Sequence, residues 1–348
     1  MPILPAINQA YLLESLIDLL QTPSPTGHTD LVTSLLADRL KSLGIVSQVT
    51  PKGILTATWN GENNRKRRAL TAHVDTLGAM VKEIKANGRL RLTQIGGYPW
   101  NTIEGEGCTV LTSKGSIRGS ILLDKASGHV HGDAVGKSER NGETLEIRVD
   151  ERTSSKEDTL KLGIEVGDFV ALDPRVEHSD KGFIRSRHLD DKAGVAAVIA
   201  AINALIAAGL KPSQTATFHF SNYEEVGHGA SAGLPPDLQE LVSVDMAAVG
   251  EGQASDEFHT TICAKDSGGP YHNGLTLQLR ELAAAHSIPY KVDIYPYYGS
   301  DGEAYWRAGG DVRVALIGPG VDASHNYERT HMDALVSTAQ LVCAYLLS

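Results

Sequence analysis

Two adjacent glutamates, Glu224 and Glu225, follow a stretch from Thr217 to Ser221 whose β-branched and aromatic residues predict a strand. Gly227 and Gly229 come soon after them. Neighbouring side chains leave the backbone in different directions, so one of the pair can hold a metal ion while the other faces a substrate. An isolated acidic pair is more often a solvated turn, because charged side chains mostly stay exposed. The company changes that balance. AHVD at 72–75, HLDD at 188–191, VD at 244–245 and TH at 330–331 each place an acid or a histidine near the end of a predicted strand or in the loop after it. Ligands of open α/β sheets collect just beyond the carboxyl ends of their strands. His73, Asp190, Glu225, Asp245 and His331 therefore form a candidate set of two imidazoles and three carboxylates. Such a set suits a pair of divalent ions, zinc first, with cobalt and manganese also tolerated. Two ions need about three protein ligands each and a shared water, so one carboxylate has to bridge them.

Each piece alone has a plainer reading. A His-x-Asp arises by chance. HLDD can be an N-cap followed by a charged first turn, which is why Asp191 stays outside the set. Asp245 can simply end a strand, and His331 can sit on the surface after Arg329. His228 and His325 read as non-ligands. Tyr298, Ser300, Asp301 and His325 are candidates to line a pocket on position alone. The ordered combination is what makes the signal strong.

The elements that must position these residues follow from periodicity. Leu12, Leu13, Leu16, Ile17, Leu19 and Leu20 predict a helix over 8–21, which the prolines of TPSPTG break. Leu31, Leu35, Leu36 and Leu40 share one face of a second helix, with Gly44 placed to end it. Residues 45–50 and 54–59 read as a hairpin, and 69–72 as a short strand delivering His73 and Asp75. From 82 to 180 short strands dominate, at 90–94, 109–112, 116–122, 145–149 and 169–172, with one helix expected from Ser154 on a capping box to Glu157. This stretch reads as a small β-rich domain inserted into a larger one made of 1–81 and 181–348. Strands at 183–187, 215–221, 241–245, 260–265, 290–297 and 312–317 then alternate with helices at 193–208, 274–286, 302–308 and 334–347, and a loop carries His325 and His331. The expected class is α/β: a three-layer catalytic domain with a mixed sheet covered on both faces.

The totals exclude several functions. A net charge of −10 argues against nucleic acid as a partner, since neutralising phosphates needs a basic face. The one basic run, Arg65–Arg68, reads as a solvated hairpin tip. Cys108, Cys263 and Cys343 give neither a disulfide framework nor a zinc-knuckle spacing, which suits a reducing, cytoplasmic setting. No signal peptide and no membrane span are expected: the longest apolar run, Ala193–Leu210, is alanine-rich and carries Asn203. A glycosidase needs two carboxylates flanking a stacked sugar, and only 5% of the chain is aromatic. A non-enzymatic scaffold would not need both a bridging carboxylate and an unligated glutamate.

At these residues the chain resembles the dinuclear-zinc aminopeptidases that include glutamyl aminopeptidases, deblocking aminopeptidases and the tetrahedral dodecameric (TET) peptidases. AHVDTLGAMV resembles that family's AHxDxxG segment, RHLDDKAG its LDDR segment with Lys192 for arginine, and NYEEVG its EEVG segment. The insertion with IGG, SSKED, LGI and VGDFV resembles its PDZ-like or barrel-like dimerisation domain. The resemblance implies His73 and Asp245 on one metal, Glu225 and His331 on the other, and Asp190 bridging. It further implies Glu224 as general base and Asp75 as the group that orients His73. It implies a peptide or small amide substrate, and homo-oligomers from dimers up to dodecamers. His331-Met332-Asp333 departs from the family's usual His-Ser-Pro. The GVDASHNYERTH ending, with RHLDDKAGVAA and KDSGGP, looks more like a bacterial branch associated with the osmoprotectant N-acetylglutaminylglutamine amide. The competing enzyme reading is a deacylase or carboxypeptidase of the co-catalytic zinc type acting on N-acylated dipeptides.

Overall fold

Strands buried on both faces form the centre of the fold in the computed structural model, which describes residues 3–348. The chain divides into two compact units, one made of the residues up to Asp75 with Arg175–Ser348, the other of Thr76–Pro174.

In the first unit four neighbouring strands run parallel: Gln214–Ser221, Asn63–His73, Glu240–Val244 and Arg313–Asp322. Leu55–Trp59 flanks them antiparallel on one side, and Thr260–Asp266 pairs antiparallel with Arg313–Asp322 on the other. Side chains alternate across the sheet, as a period of two requires. Leu70, Ala72, Phe218, Phe220, Val242 and Ile317 face one core, and Ala69, Leu241, Val314 and Leu316 face another. The first core is closed by helices Gln9–Gln21, Leu189–Ala207, Asn273–Ala285 and Met332–Leu347. Leu189–Ala207 is buried nearly all round, so its alanine-rich sequence carries little amphipathic contrast. The helix Asp301–Arg307 lies against the second core through Tyr305 and Trp306. A large mixed sheet with helices on both faces is thus the architecture the alternation of elements implies.

Several element bounds differ from the sequence reading. Residues 69–72 are the end of an eleven-residue strand, Asn63–His73. The basic run is therefore no hairpin tip. Arg68 is buried, donates to Glu240 at 2.9 Å and to the Tyr345 carbonyl at 2.7 Å, and stacks on the Tyr345 ring. The strand read as 312–317 continues to Asp322. Short strands at Ala247–Val249 and Glu328–His331 gave no sequence signal.

The second unit closes six strands into a barrel in the order Gly78–Ile84, Leu90–Ile95, Leu145–Val149, Gly115–Leu123, Gly107–Thr112 and Phe169–Leu172. Val81, Leu92, Val110, Ile121, Ile147 and Val170 fill it. Its helix Lys156–Lys161 starts one residue later than expected, with Ser155 accepting from Asp158 N. Among the described residues no helix is long and apolar enough to cross a membrane.

Candidate active site

The parallel strands bring their carboxyl ends to one edge. Ser221 pairs with His73 and Ser243 with Thr71, so Asp245 and the Glu224–Glu225 loop emerge level with His73. Asp190 arrives from the start of the helix Leu189–Ala207. His73 Nε2 lies 2.9 Å from Asp190 Oδ1, 3.7 Å from Glu224 Oε2 and 4.0 Å from Asp245 Oδ1. One ligand atom each from His73, Asp190 and Asp245 fall within 4.8 Å of one another. All three residues are buried.

The hydrogen bonds around this cluster hold it in place. His73 Nδ1 donates to the Asp75 carbonyl at 2.9 Å, which leaves Nε2 facing the acids. Asp75 is fully buried and accepts from Thr26 Oγ1 and from the backbone N–H groups of Glu224 and Glu225. It therefore fixes the acidic pair as well as lying beside His73. Asp191 accepts from His73 N and from Gly194 N, the helix-capping role that kept it outside the candidate ligands.

Burial dominates the electrostatics. It pushes Glu224 well up from the usual carboxylate range; His73 opposes this, and the Asp245 charge reinforces it. Burial and the Asp190 charge push Glu225 well up, and burial with the Asp245 charge does the same to Asp191. Burial and Asp190 push Asp245 up to about 7. Asp190 goes the other way: against the cost of burial, hydrogen bonds from His325 and His73 hold it below the ordinary value. Burial opposes charge on His73, but the Asp190 hydrogen bond and the Glu224 and Asp245 charges hold its imidazolium well above the usual range. A site this acidic gathers protons or cations to offset its charge.

The second histidine is not the one expected. His325, not His331, stands at the cluster, with Nε2 3.4 Å from Asp190 Oδ2 and 3.7 Å from Glu225 Oε2. His331 ends the strand Glu328–His331 and caps the helix Met332–Leu347. Its Nδ1 accepts from Asp333 N at 3.1 Å and its Nε2 donates to the Lys181 carbonyl at 2.7 Å, so both ring nitrogens are engaged. The ring packs against Phe183 and Phe258. The structure thus gathers His73, Asp75, Asp190, Glu224, Glu225 and Asp245, and leaves His331 aside. Glu328 also went unread: buried, it accepts from Asp190 N and His325 N and ties the two segments together. The sequence carries no local signal for His325, since its place just past a strand end follows from how far Arg313–Asp322 pairs.

A cavity of about 470 Å³ opens over the cluster. Asp190, Glu224, Glu225, Asp245 and His325 line its floor, with Tyr298, Ser300 and Arg307 elsewhere on its wall. The donor set fits divalent ions by its chemistry, imidazole nitrogen with carboxylate oxygen. Asp245 Oδ1 is a further sign: it is buried and has no hydrogen-bond partner among the described residues. A buried acceptor normally has one, and a cation would satisfy it.

A buried imidazole–carboxylate cluster at the carboxyl edge of a doubly covered α/β sheet is a place where an enzyme of this fold class could hold metal ions. Residues 53–341 match the M42 glutamyl aminopeptidase family, and the chain belongs to it: it is an enzyme, a peptidase of the aminopeptidase class. Over 337 residues it is 49% identical to "Putative aminopeptidase YhfE" of Bacillus subtilis (strain 168), covering 97% of each chain. Its fold is similar to that of the TET aminopeptidase from the marine sediment archaeon Thaumarchaeota archaeon SCGC AB-539-E09, with a TM-score of 0.87 at 19% identity over 96% of each chain. It is similar also to the Pyrococcus horikoshii TET1 peptidase, which can assemble into a tetrahedron or a large octahedral shell, with a TM-score of 0.85 at 23% identity over 97% of this chain and 99% of that one.

Proposed function

We propose that this chain is a two-metal aminopeptidase in which Glu224 is the general base. The observation that carries the reading is the place of Asp190, whose Oδ1 faces His73 and whose Oδ2 faces His325. One carboxylate therefore stands between two half-sites, His73 with Asp245 and His325 with Glu225. A pair of divalent ions held there would lower the pKa of a water and polarise the scissile carbonyl. Glu224 takes the water's proton and returns it to the leaving amine. Asp75 holds the backbone of both glutamates, so that Glu225 turns to His325 while Glu224 turns to His73. Zinc is the first candidate by donor type, with cobalt and manganese next. A cavity of about 470 Å³ suits the end of a peptide, which supports an exopeptidase.

Arg307 is the one lysine or arginine among the described residues lining this cavity. Its partner at 3.4 Å is Glu303. Burial, with the hydrogen bond and charge of Asp266, pushes Glu303 up to about 8. At neutral pH Glu303 keeps its proton, and the Arg307 charge is left to meet a substrate carboxylate. The test is a mass-spectrometric screen of the metal-loaded enzyme on free and N-acetylated di- and tripeptides, with N-acetylglutaminylglutamine amide included. Turnover of free N-termini is expected. Turnover of blocked substrates alone would replace the reading with the deacylase or carboxypeptidase one. In the same screen Arg307→Ala should cost acidic substrates roughly fivefold in kcat/KM relative to leucyl ones, since a partly exposed charge contact contributes about 1 kcal/mol. The acidic preference should also fade in the wild type as pH rises through about 8, where Glu303 loses its proton and pairs with Arg307. A preference indifferent to both changes would remove Arg307 from recognition.

Assembly into homo-oligomers belongs to the same proposal and is supported by the TET neighbours, one of them a dodecamer. Sedimentation showing monomer alone at micromolar concentration would exclude it. Three free, buried cysteines fit a cytoplasmic setting.

A further inference from the structure

The loop carrying Glu224 and Glu225 does not hold its own shape. Tyr223 at φ 74° is a bulky residue in the left-handed region, a conformation that costs about 1–2 kcal/mol unless the surroundings impose it. Asp75 holds the near end of the loop. The far end is gripped from two other sides. Lys52, on the turn before the strand Leu55–Trp59, donates to the carbonyls of His228 and Gly229 and to Ser231 Oγ. Asp301, the first residue of the helix Asp301–Arg307, is buried and accepts from Ala230 N at 2.7 Å through Oδ1. Its Oδ2 accepts from Thr71 Oγ1 at 3.1 Å and from Ser221 Oγ. Thr71 stands two residues before His73 on the same strand, and Ser221 ends the strand that leads into the loop. One carboxylate thus joins the far end of the loop to the two strands that deliver His73 and the glutamates. The fit is close: a Cβ on Gly229 would run into Asp301 Oδ1 far inside van der Waals contact. Asp301 does not line the cavity and does not touch the reacting atoms.

We propose that Asp301 is a positioning residue, which with Lys52 sets the far end of this loop and so the place of the Glu224 carboxylate. The proposal rests on the reading of Glu224 as the base. Its signature is a loss in kcat, with KM kept, that persists at saturating metal and so is not accounted for by Glu225, the ligand on the same loop.

Two substitutions reach the contact from opposite sides. Gly229→Ala pushes a methyl group into Asp301, and Asp301→Ala removes the carboxylate. Each should lower kcat about 10- to 100-fold, the scale of a misplacement near 1 Å, with KM within about twofold. The double variant should be no slower than Asp301→Ala, because the methyl group then enters the space left by the carboxylate. Asp301→Asn keeps an oxygen for Ala230 N and an amide for the two hydroxyls, so it should recover most of the turnover. Metal analysis and thermal melts accompany the kinetics. Unchanged kcat in Gly229→Ala, losses that multiply in the double variant, or losses that track cation content would overturn the proposal. If Asp301→Ala fails to fold, Gly229→Ala against Asp301→Asn carries the same test. Glu224→Gln is measured alongside. If it stays active, the base reading fails and the proposal with it; if it is inactive while Gly229→Ala is not, the positioning role alone fails.

Discussion

Glu224→Gln should abolish most turnover while the protein keeps its metal. General-base contributions run to about 10²–10⁴ in rate, and the amide cannot accept the proton. The substitution leaves the rest of the cluster intact. The Glu224 backbone stays on Asp75, and the nearest ring atom, His73 Nε2, is already engaged by Asp190 at the shorter distance of 2.9 Å. Glu225→Gln should behave differently. Its carboxylate faces His325 at 3.7 Å, so the loss there should appear as lower metal content before it appears in kcat. Steady-state kinetics on metal-saturated enzyme, with metal measured per chain, separates the two. Near wild-type kcat in Glu224→Gln would take the base role away from it; metal lost from Glu224→Gln but kept by Glu225→Gln would exchange their roles.

The two glutamates were legible as a pair at the site because a strand signal ran straight into them and fixed where they emerge. The same holds for His73 and Asp245, each delivered by a run of β-branched and small apolar residues. Parallel neighbours in register put all of these ends at one edge. Asp191 was legible too, since capping is local chemistry: it accepts from Gly194 N three residues ahead. What stayed hidden depends on partners distant in sequence. Arg68 looked like one charge in a solvated run, yet Glu240 and the Tyr345 carbonyl bury it. Glu328 drew no reading at all, yet it receives the N–H groups of Asp190 and His325. No local pattern announces either.

The second histidine turns on the length of one strand. Read as ending at 317, the strand leaves His325 and His331 in one undivided loop, and resemblance then favours His331. The strand in fact runs to Asp322, so the residues just after it reach the edge of the sheet. The chain then turns back through Glu328–His331, which pairs antiparallel with Phe183–Ser186 and carries His331 to a helix start. No feature of the composition between 318 and 331 distinguishes these outcomes. Pairing decides it.

Exchanging the two histidines for alanine should therefore give opposite results. On the proposed two-metal reading, His325→Ala should drop metal content from about two ions per chain towards one and lower kcat/KM by more than about 100-fold, since losing a group that only supports a ligand already costs about 10- to 100-fold and His325 lies beside both Asp190 and Glu225. His331→Ala should keep its metal and most of its rate. Its cost should fall on stability, about 0.5–2 kcal/mol, from a lost helix cap at Asp333 N. Metal stoichiometry and denaturant melts on the two variants read these effects separately. Metal lost from His331→Ala and kept by His325→Ala would return the ligand role to His331, and would require the segment from Asp322 to His331 to fold differently around the cations.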